Sequence, residues 1–322
     1  MEGPVGPPPF TFVVLFLLSR IPTVTEWIDG QALAQWRRMA QQQAQDQGLD
    51  PKELDWLLQH CTGLDRLALH LETFTTQTAI PANHNLDALK ALWQRRLQNR
   101  YPVQYLLGKA PWRQFWLRVS PAVLIPRPET ELLIDIVQEQ LERPENQALA
   151  RGNWVDLGTG SGAIALSLAD LLPQAPLYAV DKSPEALAVA QQNSQDWGLS
   201  EQIQFLQGSW WEPLAQLRGQ FAGMVSNPPY IPRQEIPQLQ PEVARHEPIA
   251  ALDGGLDGLD CLNQLVDTAP DYLQAGGLWL VELMAGQAPL IQARLEEQGC
   301  YHSIQIRRDL AGIERFVLAY RC

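Results

Sequence analysis

Residues Val155-Asp156-Leu157-Gly158-Thr159-Gly160-Ser161-Gly162-Ala163 run from an apolar strand through a glycine-rich loop into a helix, and this stretch constrains the chain most. Glycines suit a place where the backbone turns sharply and a ligand approaches it closely. From Trp154 onward, strand and helix patterns alternate. Strands are expected at Trp154 to Leu157, Leu177 to Val180, Ile203 to Leu206, Phe221 to Ser226, Leu278 to Leu283, Ser303 to Arg307 and Arg315 to Ala319. Helices are expected at Ala163 to Leu172, Pro184 to Trp197, Leu259 to Leu273 and Gln287 to Gln298. Such alternation predicts an α/β fold with a mostly parallel sheet and helices on both faces.

Asp181 ends the strand after the glycine loop, where a carboxylate can accept both hydrogen bonds of a ribose diol. Gly158, Gly160 and Ala163 also satisfy the loose form of the dinucleotide fingerprint, so glycine spacing leaves the cofactor open. Asp156 bears more on the choice. An acid two residues before the glycines would repel a pyrophosphate, but suits a sulfonium and an amino group. Its plainer role is to cap the turn.

Asn227-Pro228-Pro229-Tyr230 follows the apolar run Phe221 to Ser226 and is expected at the carboxyl end of that strand, the edge where open α/β sheets bind ligands. Two prolines in a row cannot continue a sheet ladder, and each restrains its predecessor to extended geometry. The stiff turn can hold the Asn227 side chain and nearby carbonyls as acceptors for a planar NH2 group, with the Tyr230 ring against it. The glycine loop and this turn come from one sheet, so both are expected to open onto one crevice.

Before the sheet, residues 25–103 read as a small helical domain. Asp50-Pro51-Lys52-Glu53 has the form of a helix start with a capping box, and Leu86, Leu89, Leu92, Trp93 and Leu97 share one helical face. Trp27, Trp36, Trp56 and Trp93 are expected in its core. Residues 104–128 read as a hairpin linker, with Gly108-Lys109-Ala110-Pro111 between two short strands, Gln104 to Leu107 and Trp112 to Val119. Ile125 to Glu131 leads into an amphipathic helix bearing Leu132, Leu133, Ile136, Val137 and Leu141. Arg127 and Glu129 read as a solvated helix start with a binding role left open. Residues 129–322 form the sheet domain.

Residues 1–24 read as an extension without a part in the fold, even an upstream start. The apolar run from Phe10 to Leu18 is shorter than the roughly 20 residues that span a bilayer, and lacks signal-peptide flanks. Among the 322 residues, Lys and Arg number 24 against 36 Asp and Glu, a formal charge of -12 that disfavours a general nucleic-acid partner. Four scattered cysteines and five histidines form no metal or disulfide pattern, so no metal is expected and a reducing cytoplasm fits. Asp253 to Gly258 lacks the ligands of a calcium loop and reads as turns.

With these residues in hand, the sequence resembles the peptide chain release factor glutamine methyltransferases, the PrmC/HemK family of class I S-adenosylmethionine-dependent enzymes. The likeness rests on Ile125-Pro126-Arg127-Pro128-Glu129-Thr130-Glu131, Asp156 to Gly162, Val180-Asp181 and Ser226-Asn227-Pro228-Pro229-Tyr230-Ile231. Glu247-Pro248, Ala251 to Gly255, Arg308-Asp309-Leu310 and Glu314-Arg315 extend it. The resemblance implies a Rossmann-like methyltransferase sheet behind a helical amino-terminal domain that recognises a class I release factor. It implies that Gly158, Thr159, Gly160, Ser161 and Gly162 surround the methionine part of S-adenosyl-L-methionine, Asp181 holds the ribose and Trp210 lies by the adenine. It further implies that Asn227 and Pro228 grip the amide of the glutamine in a Gly-Gly-Gln motif. Ser209 stands where relatives often carry an acid, a weaker acceptor for an adenine edge. Glu282 to Gly286 departs from the usual pattern and receives no chemistry. The rival readings are a nucleic-acid exocyclic-amino methyltransferase and a non-catalytic cofactor-binding module.

Overall fold

The computed structural model describes residues 24–322, so the expected 1–24 extension lies, but for Val24, outside the described residues. The described chain falls into two compact units, one ending at Leu107 and one running from Gly108 to Cys322.

The first unit is helical: α1 (Gly30–Asp46), α2 (Lys52–Thr62), α3 (Arg66–Leu71), α4 (Leu86–Asn99) and α5 (Val103–Leu107). A short antiparallel ladder, β1 (Glu26–Ile28) with β2 (Ile80–Ala82), accompanies them. Asp29 and Asn85 cap α1 and α4 by accepting from Ala32 and Ala88 N–H groups. Leu89, Trp93 and Leu97 of α4 are buried as their spacing predicts, with Leu86 and Leu92 packed at the edge. Asp50 accepts from the Lys52 N–H, but Glu53 does not complete a capping box, because the buried Arg96 guanidinium takes its carboxylate. Trp36 and Trp93 are core residues and Trp56 is half-buried, whereas Trp27 is 65% exposed, contrary to expectation. It sits on a strand of only three residues, too narrow to cover an indole.

The second unit opens with a hairpin whose register differs from the expected one. Gln104 to Leu107 belongs to α5, and the paired strands are β3 (Lys109–Trp112) and β4 (Phe115–Arg118). The turn falls at Arg113, which takes a φ of 47°, and Lys109 to Pro111 is strand rather than turn. Pro111 is tolerated because a two-stranded ribbon has only edges.

Behind the hairpin, α6 (Leu132–Leu141) precedes a seven-stranded sheet. Its strands are β5 (Asn153–Leu157), β6 (Leu177–Asp181), β7 (Ile203–Gln207), β8 (Phe221–Ser226), β9 (Leu273–Glu282), β10 (Tyr301–Arg308) and β11 (Glu314–Arg321), and their spatial order is β10-β11-β9-β8-β5-β6-β7. Pairs from β9 to β7 are parallel, while β11 runs antiparallel to both its neighbours. Helices α7 (Ala163–Leu171), α8 (Pro184–Asp196), α9 (Pro241–His246), α10 (Asp260–Thr268) and α11 (Ala288–Gln298) complete the unit. Two cores sandwich the sheet. Leu278, Leu280, Phe316 and Leu318 face α6 and α7, and Trp279, Val281, Val317 and Ala319 alternate with them toward α10 and α11. Strand order reverses between β5 and β8, which makes their carboxyl ends the place where a ligand crevice forms.

Candidate active site

A cavity of about 420 Å³ opens at that reversal. Gly158, Thr159, Gly160 and Ser161 form one wall, Asp181 and Trp210 another, and Asn227 and Pro229 the far side. Asp156, Gly162, Pro228 and Tyr230 do not line it.

Gly158, Gly160 and Gly162 all hold positive φ, at 78°, 54° and 83°. They serve different ends. A Cβ at Gly160 would meet no protein atom within 4 Å, on a residue that lines the cavity, so the loop leaves its backbone open to a ligand. A Cβ at Gly162 would lie 2.9 Å from Leu166 and 3.1 Å from Ala190, so this glycine lets α7 start against α8. The buried Asn193 of α8 clamps the loop from behind, its Nδ2 donating to the Ser161 carbonyl at 2.8 Å.

Asp156 stands where the sequence reading is corrected. Its side chain leaves β5 toward α7 and is fully buried beneath the loop. Oδ2 accepts from the Thr159 hydroxyl at 2.6 Å and the Ala165 N–H at 3.0 Å, while Oδ1 is buried without a partner. Burial raises its carboxyl to about 7 against those hydrogen bonds, and the Asp181 charge adds to the rise. It braces the loop rather than facing a ligand.

The cofactor alternatives separate on hydrogen bonds. The Gly158 and Thr159 N–H groups donate to the Val180 carbonyl at 2.8 and 3.0 Å, Gly160 donates to Asp181 at 2.9 Å, and Gly162 to the Thr159 carbonyl at 2.8 Å. With these N–H groups already paired, the loop keeps few donors for the cradle that a pyrophosphate needs. Each Asp181 oxygen takes one backbone N–H, from Gly160 or Ser183, and keeps lone pairs for the hydroxyls of a ribose. The Trp210 ring comes within 3.7 Å of where a Gly158 Cβ would stand, giving a flat apolar wall suited to an adenine. This donor set fits an adenosyl cofactor without a diphosphate.

On the opposite side, Asn227 Nδ2 donates to the Thr130 hydroxyl at 3.1 Å, which leaves Oδ1 as the acceptor not engaged there. Tyr230 turns away from the cavity, its hydroxyl donating to Glu282 Oε1 at 3.0 Å. Burial, with the neighbouring Glu282 charge, pushes the Tyr230 phenol well above its ordinary range. The turn's backbone is held from behind by Gln287, which donates to the Tyr230 carbonyl at 2.9 Å. Gly258 packs there too closely for any side chain, a Cβ falling 2.3 Å from the same carbonyl. Arg127, half-exposed on the cavity wall, donates to the buried Glu247 at 2.6 Å. Burial raises the Glu247 carboxyl despite that partner. Thr130, Asn193, Glu247 and Glu282 are buried polar groups whose hydrogen-bond partners lie far away in sequence.

Among the described residues no cluster of His, Cys, Asp and Glu is suited to a metal, and no helix is long and apolar enough to cross a membrane.

A family model described as the PrmC N-terminal domain matches residues 31–108, and one described as the methyltransferase small domain matches residues 128–244. The release factor glutamine methyltransferase of Synechocystis sp. is 53% identical over 297 residues, covering 91% of this chain and 97% of that protein. Its counterpart from Thermosynechococcus vestitus is 45% identical, covering 91% and 99%. The solved structure of the hMettl16 catalytic domain in complex with MAT2A 3'UTR hairpin 6 superposes with a TM-score of 0.51 at 16% identity, over 72% of this chain and 80% of that one, a likeness of fold alone. Identity at this level along nearly the whole length of the relatives, on a cavity built for an adenosyl cofactor, shows that the chain belongs to the release factor glutamine methyltransferase family of S-adenosylmethionine-dependent enzymes.

Proposed function

We propose that the chain methylates the side-chain amide nitrogen of the glutamine in the Gly-Gly-Gln motif of class I peptide chain release factors, in the cytoplasm, in support of translation termination. The observation that carries this reading is the Asn227 amide, whose nitrogen is committed to Thr130 and whose oxygen is left as an acceptor on a cavity faced by the glycine loop. When bound, S-adenosyl-L-methionine supplies an electrophilic methyl group on its sulfonium. Gly158, Thr159, Gly160 and Ser161 would hold its methionine part, Asp181 its ribose and Trp210 its adenine.

An amide nitrogen is a poor nucleophile because its lone pair is delocalised into the carbonyl. Asn227 Oδ1 and the Pro228 carbonyl accept its two hydrogens, orient the nitrogen and favour the positive charge that develops on it. Pro229 stiffens the turn and closes the cavity wall. Tyr230 anchors the turn through Glu282. After transfer the nitrogen gives its extra proton to solvent water. The helical unit ending at Leu107 recognises the body of the release factor.

Asn227→Ala tests the assignment. Cofactor binding by calorimetry is expected to persist while release-factor methylation falls by about a hundredfold or more, the scale of losing one aligned polar contact. Near-wild-type turnover in that variant contradicts it.

A further inference from the structure

We propose that Arg127 binds the substrate peptide, donating to main-chain carbonyls beside the acceptor glutamine while Glu247 holds its guanidinium in place. This inference rests on the methyl-transfer reading above, and it gives work to an arginine that the amide-acceptor role of Asn227 leaves unused.

Pro126, Arg127 and Thr130 all line the cavity. The Arg127 carbonyl accepts from the Thr130 N–H at 3.1 Å, and the Thr130 hydroxyl accepts from Asn227 Nδ2, which puts Arg127 one short turn from the acceptor asparagine. Lys182, the other cation that lines the cavity, follows Asp181 on the cofactor side. Prolines flank Arg127 and restrict its backbone, which is extended at a φ of -100° and a ψ of 139°. Its side chain is 33% exposed, whereas that of Glu247 is 1% exposed. Nη2 donates to Glu247 Oε1 at 2.6 Å, and the Ile125 N–H reaches Oε2 of the same carboxyl at 3.4 Å. The other two guanidinium nitrogens carry no hydrogen bond among the described residues. One corner of the planar group is therefore tied to a buried anchor, and the rest is left to donate at the cavity.

A guanidinium donates and does not accept, so what it takes from a substrate is oxygen. Two glycines ahead of the glutamine bring no side-chain oxygen. The glutamine's own Oε1 is an unsuitable partner, because a donor there draws the nitrogen lone pair further into the carbonyl and opposes transfer. Main-chain carbonyls remain. Glycines leave them unshielded, with no Cβ to hold a flat cation away. Arg127 then grips the peptide while Asn227 takes the amide.

Methylation of a purified class I release factor by the full chain tests this. Arg127→Gln is expected to raise the release-factor KM by about 10- to 100-fold, the scale of losing hydrogen bonds to a charged group, with the cofactor Kd within about threefold of wild type. Arg127→Lys keeps the charge without the planar fork and is expected to recover no more than about threefold of that loss. Glu247→Gln weakens the anchor, so it is expected to raise KM by a smaller factor and to add nothing to Arg127→Gln, because both act on one contact. Alanine in place of the glycine before the glutamine is expected to raise KM more for the wild-type chain than for Arg127→Gln. A release-factor KM within about twofold of wild type in Arg127→Gln overturns the proposal, as do multiplicative losses in the double variant or an equal alanine penalty in both proteins. A cofactor Kd weakened by about tenfold or more in Arg127→Gln overturns it as well, since the guanidinium would then serve the methionine carboxylate of the cofactor. If the wild-type chain does not methylate the release factor, the functional reading fails and this inference with it. The other outcomes, measured against an active wild type, bear on the inference alone.

Discussion

The Ser226 hydroxyl donates to the Leu157 carbonyl at 2.6 Å, lacing the strand that ends in the Asn-Pro-Pro-Tyr turn to the strand that ends in the glycine loop. Both residues are buried, and each is the last of its strand. Donor loop and acceptor turn are thereby held in fixed register at the strand reversal.

Ser226→Ala removes this lace while keeping the strand. A stability loss of about 1 kcal/mol is expected from the lost buried hydrogen bond, with a fall in kcat that exceeds any change in cofactor affinity. Denaturant unfolding and steady-state kinetics on one preparation check both parts.

The glycines of the loop are expected to divide by function. Gly160→Ala places a methyl group in open space and costs about 1 kcal/mol for its left-handed backbone, so its main effect is on cofactor binding. Gly162→Ala adds a clash with Ala190 of α8 to the same strain and is expected to cost about 2 to 4 kcal/mol of stability. Calorimetry and thermal unfolding of the pair separate the two effects.

Asp156 makes stability depend on pH in a stated direction. Its folded carboxyl titrates at about 7 against an ordinary 3.8, chiefly through burial. Between those values the unfolded chain has lost the proton and the folded chain keeps it. The contribution is therefore full below pH 3.8 and is lost as pH rises through 7, at up to about 1.4 kcal/mol per pH unit. Asp156→Asn is expected to flatten the decline in urea midpoint across that window. Glu247 and Glu282, also raised by burial, act alike in both proteins. An unchanged slope in the variant contradicts the buried, protonatable Asp156.

Much of the sheet was legible because parallel strands buried on both faces read as unbroken apolar runs between turn signals, as Phe221 to Ser226 does. The hairpin was less so. Gln104 to Leu107 is a short apolar run that fits helix and strand equally, and Arg113, not a glycine, supplies the left-handed turn residue. In the site, the glycine loop, Asp181 and Asn227 were visible because their chemistry is written in adjacent residues. Glu282 was not, since its hydrogen-bond partner Tyr230 reaches it from far along the chain. Asp156 was visible as an acid but not as a buried one, because the sequence does not reveal which face of β5 it takes.

The most direct measurement follows a labelled methyl group from S-adenosyl-L-methionine into a mixture of release factor, its Gly-Gly-Gln glutamine-to-alanine variant, and nucleic acid. Label on the side-chain nitrogen of that glutamine, absent from the variant and from the nucleic acid, is the predicted result. Label in nucleic acid, label retained by the alanine variant, or no label anywhere contradicts the assignment.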